Sequence, residues 1–131
     1  MRKLIKNLLE HNSFWIAICI TILIAYLSLK TLQIETPIEI KYFDKVLHFT
    51  AYFTLSISWL FHVRNNNKNK YFVILFIFLY GILLEFMQGW FNPNRTKDVY
   101  DIFANGLGIV IAIISYKYIY DVYKKIFVVS N

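Results

Sequence analysis

The sequence predicts an all-α polytopic membrane protein, a bundle of four transmembrane helices joined by short loops. Hydrophobic residues make up 58% and aromatic residues 19% of the 131-residue chain, which is more apolar surface than a soluble domain of this size can bury. The apolar residues fall in four runs, each roughly the 17 to 25 residues that a helix needs to cross about 30 Å of hydrocarbon. The runs are residues 13–29, 46–62, 71–91 and 102–120.

The segments between these runs contain no Gly/Ser-rich linker and no repeat, so residues 1–131 are expected to form a single domain. The charged start followed by an apolar run has the order of a signal peptide. No small-x-small cleavage site follows it, which favours a retained first span. Cys19 is the only cysteine and lies within that span. The sequence therefore predicts no intramolecular disulfide and no cysteine-based metal motif.

The formal net charge of +6 is explained by lysines and arginines that flank the spans. No basic stripe or nucleic-acid-binding motif accompanies it, so a nucleic-acid partner is not expected. Lysine and arginine are richer before span one, between spans two and three, and after span four. By the positive-inside rule, both termini are predicted to be cytoplasmic. The start of span two, the end of span three and the start of span four then share the extracytoplasmic face.

Each of these outer helix ends has a polar stripe, because residues three or four positions apart share a helix face. The stripes are Asp44, His48 and Tyr52; Glu85 and Gln88; and Asp98, Asp101 and Asn105. We expect them to face the bundle interior, since a carboxylate facing lipid costs roughly 2.5 to 3.5 kcal/mol. Span four also has Ala104, Gly106, Gly108 and Ala112, a face of small residues that allows close helix approach and could bring Asn105 within reach of a neighbouring helix.

Three motifs in series, "DKVLHFTAYF" at 44–53, "LLEFMQGWF" at 83–91 and "RTKDVYDIFANGLG" at 95–108, resemble the VanZ-like family of small bacterial membrane proteins. The resemblance implies a multi-pass protein of the bacterial cytoplasmic membrane and a link to tolerance of the lipoglycopeptide teicoplanin. The characteristic positions that it marks are Asp44, Lys45, His48, Tyr52, Glu85, Gln88, Arg95, Asp98, Asp101, Asn105 and Gly108.

Simpler roles are open for several of these residues. Asp98 and Asp101 fit the N-cap and the third residue of a helix, where carboxylates satisfy free backbone N–H groups. Asp44 could cap span two, although the capping-box pattern at residues 36–39 would start a helix earlier. His48 could be a packing histidine, a ligand or a base. Arg95 could neutralise a buried acid or grip a phosphate or carboxylate.

Two chemistries have little support in the sequence. The histidine and acids do not follow a known metal motif, and Lys45 and Arg95 would repel a cation, so no metal or other cofactor is expected. No Ser or Cys lies beside His48 in a recognisable nucleophile motif.

The favoured functional hypothesis is an outward-facing polar pocket that binds an anionic lipid or a lipid-linked cell-envelope precursor. Lys45 and Arg95 would hold its phosphate or carboxylate; Glu85, Asp98 and Asp101 would orient them; His48 would donate a hydrogen bond or shuttle a proton. Hydrolysis or group transfer is the expected reaction if there is chemistry. The alternative is a structural, partner-binding protein whose polar cluster holds the helices together. A transporter is disfavoured because no inverted repeat is visible.

Overall fold

The computed structural model describes residues 1–30, 43–91 and 99–128, and for residues 2 and 91 it describes the backbone only. In these ranges the chain is helical and contains no strand. The helices are α1 (Arg2–His11), α2 (Ser13–Leu29), α3 (Phe43–His62), α4 (Asn67–Phe91) and α5 (Val99–Phe127). The all-α prediction is confirmed for the described residues.

A single asparagine separates α1 from α2. The Asn12 side chain donates a hydrogen bond from Nδ2 to the carbonyl oxygen of Leu8 at 3.0 Å, and Ser13 Oγ donates to the carbonyl oxygen of Glu10 at 3.1 Å. These side chains satisfy backbone carbonyls at the end of α1, which a helix terminus otherwise leaves without partners. The two helix axes differ by 61°. The predicted first span, residues 13–29, therefore coincides with α2, and the charged residues before it form a helix of their own.

In the described ranges, two helices are long and apolar enough to cross a membrane, residues Asn67–Trp90 of α4 and Val99–Phe127 of α5. The bent pair of α1 and α2 makes a third if it counts as one span. The prediction of four transmembrane helices is therefore not confirmed. The predicted second span lies within α3, which is 20 residues long but is not among these candidates. Its first two turns contain Asp44, Lys45 and His48, which lower its mean hydropathy.

α3 packs most extensively against α5, and it also contacts α2 and α4. A Cβ atom built on Gly108 of α5 would collide with the carbonyl oxygen of Phe49 and lie 3.0 Å from the backbone nitrogen of Phe53. The absence of a side chain at Gly108 thus lets the α5 and α3 backbones touch. The buried apolar core beside this contact comprises Ile24, Tyr52, Leu55, Ile77, Leu84 and Ile109.

Both chain ends lie at one end of the bundle. Tyr123 near the end of α5 donates a hydrogen bond from its hydroxyl to Glu10 Oε1 at 3.0 Å. Ser13 Oγ lies 3.2 Å from Nδ1 of His62, at the end of α3. Because α4 runs opposite to α3 and α5, the start of α3, the end of α4 and the start of α5 meet at the opposite end.

Candidate functional site

Five polar side chains are buried together at that opposite end, and we call them the polar cluster. Their residues are between 2% and 9% exposed, and they come from three helices. The members are His48 of α3, Glu85 and Gln88 of α4, and Asp101 and Asn105 of α5. These residues of the predicted polar stripes do face the interior of the described bundle, whereas Asp44 is exposed and Asp98 lies outside the described residues.

His48 lies at the centre of the cluster. Its Nδ1 is 3.0 Å from Asn105 Oδ1 and 3.4 Å from Glu85 Oε1. Its Nε2 is 3.8 Å from Asp101 Oδ2. The imidazole therefore touches both neighbouring helices, and each of its nitrogens faces a carboxylate.

Lys45 is the cationic residue of the site among the described residues. Its Nζ lies 2.6 Å from Asp101 Oδ1 and 2.7 Å from Asp44 Oδ2. The Lys45 side chain is 21% exposed, whereas that of Asp101 is 5% exposed. Lys45 thus neutralises a buried carboxylate from the edge of the cluster, which lowers the cost of keeping that charge out of water. Asp44 is half exposed and lies at the same edge, outside the polar cluster.

Two amide nitrogens of the cluster have no partner among the described residues. Nδ2 of Asn105 and Nε2 of Gln88 are buried and have no hydrogen-bond acceptor among the described residues. Such groups are rare, because a buried N–H without an acceptor costs roughly 1 to 3 kcal/mol.

Tyr52 lies one turn below His48 on α3 and is 2% exposed. Its ring packs on Gly81 of α4, where a built Cβ would be 2.9 Å from Tyr52 Cε1. Tyr52 belongs to the buried apolar core, and a role for it in ligand binding stays a prediction. Gly81 was not singled out from the sequence; a glycine inside an apolar helix was the available signal.

The small-residue face of α5 is divided between two neighbours. Gly108 and Ala112 are buried, and Gly108 meets the α3 backbone. A Cβ on Gly106 would lie 3.9 Å from Phe78 of α4, which is ordinary contact. Ala104 is partly buried.

Asp101 is the third residue of α5, the position that the capping interpretation gave it, and it is also part of the polar cluster. Arg95 and Asp98 lie outside the described residues, and so does the capping-box pattern at 36–39. The predicted roles of Arg95 and Asp98 stay predictions.

A second polar group at the terminus end was not predicted. Arg64 Nη2 lies 3.9 Å from Glu10 Oε1, the same atom that accepts the hydrogen bond from Tyr123. This group ties α1 to the ends of α3 and α5. No motif marks it, since it joins residues from three separate parts of the chain.

A cavity of about 440 Å³ lies elsewhere, against apolar residues that include Trp59, Phe76 and Ile77. The described part of the polar site has an exposed edge at Asp44 and Lys45, and the outward-facing pocket that the sequence predicts stays a prediction.

These features define a helical protein with candidate membrane spans and a buried cluster of one histidine, two carboxylates and two amides. Comparison with known families places the chain more narrowly. Residues 3–121 match the model of the VanZ/LLP1 family, and the chain belongs to this family.

A relative described as uncharacterized protein C11E3.10, from Schizosaccharomyces pombe, is 33% identical over 101 residues, which cover 76% of this chain. The chain spans 59% of the length of that relative. The family therefore includes a yeast protein and is not confined to bacteria. No solved structure matches the chain.

Proposed function

We propose that the polar cluster, together with Lys45, binds the headgroup of an anionic membrane lipid. The observation that carries this proposal is the convergence of five buried polar side chains, from three helices, around His48. Helix capping explains an acid at a helix start, but it does not explain a histidine, a glutamate and a glutamine at the same depth.

The unpartnered amides support a binding site over a purely structural network. A network that only holds helices together gains most when every buried N–H has an acceptor. Asn105 Nδ2 and Gln88 Nε2 have none among the described residues. The oxygens of a bound phosphate or carboxylate would supply acceptors to both.

Lys45 is the cation that the described edge of the site offers to such a group. Lys45 Nζ is partly exposed there, and its contact with Asp101 holds it in place. Arg95 and Lys97, close before α5 in the sequence, belong to the proposal as further anion-binding residues. An arginine fork matches phosphate geometry, and a lysine contributes as a point charge.

A glycerophospholipid is the favoured ligand. The family has a member in a yeast, and glycerophospholipids occur in bacterial and yeast membranes alike. A lipid-linked cell-envelope precursor, which would also connect the protein to teicoplanin tolerance, is the narrower version of the same proposal.

Hydrolysis or group transfer on the headgroup extends the proposal. An imidazole that lies between two carboxylates can accept a proton and return it. His48 is the residue for that role, with Glu85 and Asp101 fixing its orientation.

The proposed setting is a single multi-pass domain with four membrane crossings, in which α3 spans the membrane with the other helices around it. Its polar first turns would then be shielded from lipid by α4 and α5. The termini face the cytoplasm and the polar cluster lies near the outer surface, which for a bacterial protein is the outer face of the cytoplasmic membrane.

Native mass spectrometry of the purified protein tests this function. We expect a retained anionic lipid on the wild type and on Asp121→Asn, whose carboxylate lies at the other end of α5. Asp101→Asn and His48→Gln should lose the lipid while keeping wild-type helicity. Equal lipid retention in all four proteins would contradict the proposal.

The structural alternative makes a different prediction for the same variants. If the cluster only holds the bundle together, Asp101→Asn and His48→Gln lower the melting temperature, and no specific lipid is present on the wild type. A transporter is not supported, because the described polar cluster ends at Tyr52 and is followed by the apolar core.

A further inference from the structure

We infer that His48, Glu85 and Asp101 bind a divalent cation. One ligand atom from each of the three residues lies within 4.8 Å of the other two. Metal ions bring nitrogen and oxygen ligands of one coordination sphere into contacts of about this size, since each ligand lies roughly 2.0 to 2.6 Å from the ion. The inference deepens the proposed function, because the cation would bridge the cluster to the phosphate of the bound lipid.

The surroundings of His48 give an independent reason. Nδ1 faces Glu85 Oε1 at 3.4 Å and Nε2 faces Asp101 Oδ2 at 3.8 Å. A neutral imidazole has one N–H donor and one nitrogen lone pair. Whichever tautomer forms, one carboxylate oxygen therefore faces a lone pair, and a cation between them replaces this repulsion with coordination.

The cluster offers further oxygen ligands. Asn105 Oδ1 is 3.0 Å from His48 Nδ1, close enough to join the same ion. Gln88 is 4% exposed and lies one turn after Glu85, so its amide oxygen is a further candidate. A ligand set of one histidine nitrogen with carboxylate and amide oxygens suits Mn²⁺, Mg²⁺ or Zn²⁺ better than a soft metal.

Lys45 does not block the site. Its ammonium contacts Oδ1 of Asp101, while Oδ2 faces His48. The two oxygens of this carboxylate can thus serve the lysine and the cation separately. The sequence-based expectation against a metal rested on repulsion by Lys45 and Arg95 and on motif spacing, and it did not include the division of the Asp101 oxygens.

Binding of Mn²⁺ alone to chelator-treated full-length protein, followed by electron paramagnetic resonance, tests the inference. We expect saturable binding of one Mn²⁺ per chain, and about tenfold or more weaker binding by Glu85→Gln and Asp101→Asn. The control Asp121→Asn changes an exposed acid of the same helix, paired with Lys124 at 2.8 Å, and should bind like the wild type.

A second measurement identifies the nitrogen ligand of the bound ion, first in the wild type and then in two histidine variants. Electron spin echo modulation from bound Mn²⁺ should show coupling to a ring nitrogen, and His48→Gln should remove it while His62→Gln should not. Absence of saturable binding, absence of nitrogen coupling, or binding that Glu85→Gln and Asp101→Asn leave unchanged would overturn the inference.

The lipid measurement separates this inference from the proposed function. Lipid retention in the presence of a chelator, with no Mn²⁺ binding, would leave the lipid site standing and remove the cation. Mn²⁺ binding without any retained lipid would support the cation site and remove the lipid site.

Discussion

Gly108 and Gly106 form a matched pair for testing how closely α3 and α5 pack. Both glycines lie in the middle of α5, two residues apart, so Gly→Ala raises helix propensity at each by roughly 0.5 to 1 kcal/mol. Their surroundings differ. A methyl group on Gly106 would be 3.9 Å from Phe78, whereas one on Gly108 would overlap the Phe49 carbonyl oxygen and lie 3.0 Å from the Phe53 nitrogen.

The expected energies follow from these distances. The obstacle at Gly108 is backbone rather than a flexible side chain, so α5 must move away from α3. Overpacking of this kind costs about 1 to 3 kcal/mol. Because the propensity gain is common to both variants, Gly106→Ala should be more stable than Gly108→Ala by about 1 to 3 kcal/mol.

Thermal unfolding of the two variants in one detergent measures the difference. At about 4 °C per kcal/mol, a value between those of smaller and larger domains, we expect melting temperatures about 4 to 12 °C apart. Gly108→Ala should also weaken lipid retention, since a displaced α5 moves Asp101 and Asn105 away from His48. Equal melting temperatures, or a more stable Gly108→Ala, would refute the argument that the α3 and α5 backbones touch.

Three further predictions concern ion pairing, the terminus end and topology. Lys45→Met should lower the free energy of unfolding by roughly 1 to 3 kcal/mol, less than the loss of a partner from a fully buried ion pair, because Lys45 is partly exposed. Adding Asp101→Asn to the same chain should recover most of that loss in a double-mutant cycle. Losses that simply add would contradict the pairing of Lys45 with Asp101. Tyr123→Phe should cost about 1 kcal/mol by removing its hydrogen bond to Glu10, and an unchanged melting temperature would show that this contact does not hold α1. In a Cys19→Ala background, an impermeant thiol reagent added outside should label a cysteine at residue 96 and not one at residue 66; the opposite pattern would reverse the proposed orientation.

The described helix positions could largely be predicted from the sequence because apolar run length and helix spacing are local properties. The predicted 13–29 run coincides with α2, and Asp101 and Asn105 share a buried face as their spacing of four indicates. The break at Asn12 was not predicted, since one asparagine between two helical segments is a weak signal.

The arrangement within the site depends on how the helices are rotated against one another, and spacing does not contain that information. Spacing places His48 on the inner face of α3, but only the packing decides that its two nitrogens face acids from different helices. The contact between the Tyr52 ring and Gly81 likewise depends on how α3 and α4 are rotated against each other. The four-span prediction chose the run at 46–62 by its length and apolar composition, whereas α3 begins earlier, at Phe43, and its polar first turns pack against α4 and α5.

Cross-linking with an anionic lipid that has a photoreactive headgroup, followed by peptide mapping, tests the binding claim most directly. We expect adducts in the first turns of α3 and α5 and in the last turns of α4. These adducts should be lost in Asp101→Asn and retained in Asp121→Asn. Adducts confined to the terminus end near Arg64, or spread evenly over the lipid-facing helices in both variants, would contradict it.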